Sequence, residues 1–107
     1  MVVTDEHMEA ALRRLAATDD LAAELHTKVE RTEFKAKAVK DAQFLRMQGA
    51  VAERQAMAGA SAEYETAMDE YFAALQAYEA LRNERTRKVI VIEVWRSLNS
   101  ARSKGLL

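Results

Sequence analysis

The chain has 107 residues, no cysteine, no proline, three glycines and a net charge of −1. That length holds one small domain, the missing cysteines exclude disulfides and thiolate metal sites, and the near-neutral balance gives no whole-chain attraction to polyanions. The absence of proline, with abundant alanine, glutamate, arginine and leucine, points to an almost wholly helical chain, and no apolar run reaches membrane-spanning length.

In chain order, Thr4-Asp5-Glu6 opens a first helix, and Met8, Leu12 and Leu15 follow at helical spacing. Thr18-Asp19-Asp20 either caps a second helix or bends the first, because its side-chain oxygens suit free backbone N–H groups and the positive end of a helix dipole. From there Leu25, Val29, Thr32, Ala36 and Val39 step by four, three, four and three, a narrow coiled-coil seam that reaches Gly49. Residues 50–58 fit a short helix in a bend. Gly59-Ala60-Ser61 then breaks the chain, with Ser61 the expected N-cap of the longest segment. Tyr64, Met68, Tyr71, Leu75 and Tyr78 repeat the four–three spacing there. The expected elements are a helix over 5–17, a hairpin helix over 19–48, a short helix over 50–58 and a second hairpin helix over 61–102.

Lys88 to Trp95 resists this scheme, since its β-branched and aromatic residues read locally as a strand. No second strand candidate exists to pair with it, so a helix is the expectation. Apolar residues at 89–92, 94 and 95 would then cover nearly every side of that helix, which predicts burial on all sides. One hairpin cannot supply that burial. A second copy or a partner is therefore expected to contact this region.

Charge falls in four alternating blocks: −4 over residues 1–30, +3 over 31–60, −5 over 61–81 and +5 over 82–107. An antiparallel hairpin turning near residue 55 sets each block beside its opposite, within one chain or across two. Arg82, Arg85, Arg87, Lys88, Arg96, Arg102 and Lys104 form the basic C-terminal set. Left unpaired, they would follow a phosphate backbone with salt-sensitive affinity. Facing acids at 5–24 make helix pairing the preferred reading of the same residues. The acid–base spacings Glu9–Arg13, Glu24–Lys28, Glu33–Lys37 and Glu84–Lys88 suit i,i+4 pairs.

No catalytic, cofactor-binding or metal-ligating constellation emerges. His7 and His26 stand beside acids without a metal-ligand spacing, no nucleophile elbow occurs, and no glycine loop cradles phosphate. The tyrosine ladder reads as a packing seam, because its segment carries five acids and no base and would repel nucleic acid. Trp95, next to Arg96, reads either as an ordinary core residue or as an interface anchor. The expected protein interface comprises Val89, Ile92, Val94, Trp95 and Arg96.

Gly49 to Ala56, Tyr64, Tyr71 and Tyr78, and Ile92-Glu93-Val94-Trp95-Arg96-Ser97 with Asn99, Ser100 and Arg102 together resemble small helical proteins of tailed bacteriophages encoded among replication and recombination genes. The resemblance spans residues 30–104 and transfers no active-site residue. It implies an accessory protein in the cytoplasm of the host cell. The resulting expectation is an all-α antiparallel helical hairpin, coiled-coil-like, with an additional N-terminal helix, self-associating into a bundle. Its function is then that of a non-enzymatic oligomeric adaptor with a protein partner, without cofactor or membrane. Nucleic-acid binding and a structural place in the virion are the competing expectations.

Overall fold

A computed structural model describes residues 2–105, and they form three helices: α1 (Asp5–Arg46), α2 (Val51–Gly59) and α3 (Ala62–Ser103). No strand occurs among the described residues, and Lys88 to Trp95 is helical. The chain divides into two compact units, to both of which α1 and α3 contribute. The first joins residues up to 23 to those from 79 onward, and the second is residues 24–78.

In the first unit the two helices run antiparallel, as successive contacts of Asp5 with Trp95 and Arg14 with Glu84 require. The buried positions Ala11 and Thr18 on α1 and Leu81 on α3 mark the seam, with Leu15, Arg85, Lys88, Ile92 and Trp95 half-buried along it. Thr4 caps α1: its Oγ1 accepts the His7 N–H at 3.2 Å, while His7 Nδ1 accepts the Thr4 N–H at 3.3 Å. This is a reciprocal capping box with an imidazole in the place usually held by a carboxylate.

The second unit is a helical hairpin in which α2 lies in the bend. Its helices also run antiparallel, with Lys35 meeting Glu70 and Lys40 meeting Tyr64. Ala36, Ala58, Ala67 and Ala74 are buried, and Tyr64, Tyr71 and Tyr78 stand half-buried between them. Small residues at these levels let the helices approach closely while the tyrosines fill the intervening space. Ser61 caps α3 as expected, its Oγ accepting the Tyr64 N–H at 3.2 Å. Gly49 turns the chain into α2 at a φ of 118°, where a Cβ would also come within 2.8 Å of the Glu53 carboxylate.

Two expectations need correction. Helices over 5–17 and 19–48 are instead the single helix α1, because Thr18 is a seam residue and not a cap. Its side chain is 1% exposed and its hydroxyl donates to the Arg14 carbonyl one turn back at 2.8 Å, so it adds no break. Spacings of four and three in fact continue without slip from Ala11 through Leu15, Thr18, Ala22 and Leu25. Leu12 is not part of that seam; it is exposed beside the buried Ala11. Val89 and Ile90, 43% and 47% exposed, are the part of Val89 to Trp95 that the helix pair of a single chain leaves uncovered.

Candidate interaction surface

The basic residues of α3 separate into two groups in the first unit. Arg85 turns into the helix seam: its Nη1 donates to the Leu15 carbonyl at 2.8 Å and to Thr18 Oγ1 at 2.7 Å, and its Nη2 reaches Asp19 at 3.3 Å. Thr18, the one buried polar side chain among the described residues, thus both donates and accepts. A buried hydroxyl left without partners would be costly, and here its hydrogen-bonding capacity is used. Lys88 is half-buried over an apolar groove formed with Val3, Ala11 and Val91. The basic C-terminal set therefore does not form one continuous exposed surface.

Arg82, Arg87, Arg96, Arg102 and Lys104 are exposed. Arg82 approaches Glu79 at 3.6 Å, and Arg96 and Lys104 border a shallow open depression with Ser97 and Ser100. Glu84, matched with Lys88 on sequence spacing, is instead held by Arg14 through two hydrogen bonds of 2.6 and 3.1 Å. Those bonds hold its carboxyl below the ordinary carboxylate range; desolvation opposes the shift, and the positive charges of Arg14, Lys88 and Arg87 assist it. The same pairing raises Arg14.

The five expected interface residues also divide. Ile92 and Trp95 are half-buried along the seam, and the Trp95 indole N–H donates to Asp5 at 2.7 Å, tying α3 to the first turn of α1. Val94 is half-buried, while Val89 and Arg96 are exposed. Ile90, absent from the expected set, is the more exposed of the β-branched pair. Its signal was available, because helical spacing places 90 opposite the seam positions 88, 92 and 95.

In the second unit Phe34 and Leu45 are 76% and 75% exposed, on the side of α1 away from its seam. The tyrosine ladder faces protein: Lys40 lies over the Tyr64 ring at 5.4 Å, and His26 stacks at a tilt on Tyr78 at 5.3 Å. Arg54 covers Phe44 at 4.2 Å and donates to its carbonyl, fastening α2 to α1.

Among the described residues no group of three or more histidine, cysteine, aspartate or glutamate side chains is placed to hold a metal ion. No described helix is long and apolar enough to cross a membrane. Compared with protein-family models, curated proteins and solved structures, the chain matches none.

Proposed function

We propose that the chain is a non-enzymatic, oligomeric helical adaptor that binds another protein through the outer surface of α3 around Ile90. The carrying observation is the exposed pair Val89–Ile90, left uncovered where Ile92 and Trp95 are folded inward. Arg87 and Arg96 flank that pair, so the matching partner surface is an acidic helix with an apolar stripe. The phage resemblance supplies the setting of this proposal, DNA metabolism or host takeover in the host cytoplasm. Virion membership is its structural rival, and copurification with particles separates the two.

The test compares proteins captured from infected or lysogenic cells by the intact chain and by Ile90→Glu. A protein retained by the first and lost by the second, at equal helicity, supports the adaptor. Identical capture by both chains overturns it. Trp95→Ala is a poorer probe because it also removes the bond to Asp5. A second reading, nucleic-acid binding, draws on the exposure of Arg87, Arg96, Arg102 and Lys104. It requires anisotropy of labelled DNA to rise at low salt and affinity to fall log-linearly as salt increases.

A further inference from the structure

Half of the cap that opens α1 depends on the protonation state of one side chain. Thr4 Oγ1 accepts the His7 backbone N–H whatever the ring does, but the return bond needs a bare Nδ1 lone pair to accept the Thr4 N–H. That bond exists only for the neutral ring carrying its proton on Nε2. An imidazolium is protonated at both nitrogens and would set a donor against a donor. Glutamine in this place would offer an acceptor oxygen at any pH, whereas histidine ordinarily changes charge between about pH 5 and 8.

The N–H at stake belongs to the peptide group joining Val3 to Thr4. Val3 is 3% exposed and lines, with His7, Ala11 and Val91, the groove against α3. Asp5, the next residue along, accepts the Trp95 indole N–H at 2.7 Å. The bond to Nδ1 therefore stands between a buried side chain and the tie that joins the two helices. Lys88 is the charged group that α3 brings to the groove, and it would repel an imidazolium, as would the positive end of the α1 dipole. Asp5 and Glu6, in the same first turn, offset part of that repulsion.

We infer that His7 is a proton-operated latch on the entry to α1. It is closed while the ring is neutral, and mild acidification loosens Val3 and the Asp5–Trp95 tie together. The latch stands apart from the surface around Ile90, so it holds or fails independently of partner capture.

An NMR titration of the intact chain between about pH 8 and pH 5 tests it. It follows the Thr4 amide and the indole N–H of Trp95, the single tryptophan. Both resonances should move with the His7 ring. Corrected for its intrinsic pH dependence, exchange of the Thr4 N–H should rise roughly threefold, a modest factor because Thr4 Oγ1 keeps its bond. His7→Gln retains an acceptor that does not titrate, and should hold both resonances still. His26→Gln, which removes the other histidine, should leave the wild-type titration intact. A Thr4 amide that does not respond, or a Thr4 response without one at Trp95, overturns the inference. So does a response that survives His7→Gln, which would belong to Asp5 or Glu6, or one that His26→Gln abolishes.

Discussion

Thr18 and Arg85 show how one hydroxyl determines the fate of a charged side chain. Arginine in a helix seam carries a desolvation cost, reduced here because its guanidinium keeps a carbonyl, a hydroxyl and a carboxylate as acceptors. Replacing Thr18 by valine keeps the shape and removes the hydroxyl. Chemical denaturation should show a loss of about 1 kcal/mol, since Arg85 retains its other acceptors. Arg85→Leu should come within about 1 kcal/mol of wild type or exceed it, because the Thr18 hydroxyl still donates to Arg14. Glu84 gives the pH counterpart. Its carboxyl is lowered by Arg14, so its stabilising contribution is present above the ordinary carboxylate range and is lost as pH falls through the lowered value. The gap in denaturation midpoint between wild type and Glu84→Gln should accordingly be open near neutral pH and close in acid.

At the scale of elements, α1 and α3 owe their limits to a few local devices. Ser61→Ala removes the α3 cap and should cost about 1 kcal/mol, read as a lower thermal midpoint. Amide exchange should find the backbone of residues 18–22 as protected as the turns on either side, whereas a helix boundary at Thr18 would exchange rapidly. That boundary was the main misreading available in the sequence. Thr-Asp-Asp is a strong local cap signature, and the seam around it is written in Ala11 and Ala22, whose apolar signal is weak. Tyr64, Tyr71 and Tyr78 were legible because large side chains at heptad spacing announce a seam. Arg85 and Lys88 were not, because their chemical type says surface; only an antiparallel neighbour offering a hydroxyl and a carbonyl draws Arg85 inward.

For the molecule as a whole, the all-helical class and the antiparallel pairing were readable from composition, spacing and charge blocks. Lys35–Glu70 and Arg85–Asp19 are two such block-to-block contacts, formed within the chain. The surface was harder to read, since hydropathy marks Val89 to Trp95 as apolar without saying which members fold inward. The buried positions are mostly alanines, each adding little more than a methyl group, about 0.8 kcal/mol of apolar burial. So lean a core distinguishes poorly between alignments of its helices, and here the Thr18–Arg85 contact acquires a second meaning. If α3 slid by one heptad, alanines would still meet small neighbours, but the guanidinium would arrive opposite Ala11 or Leu25 with no hydroxyl to receive it. A contact that adds little to stability thus acts as a proofreading step, rejecting misaligned pairings that apolar packing alone would accept.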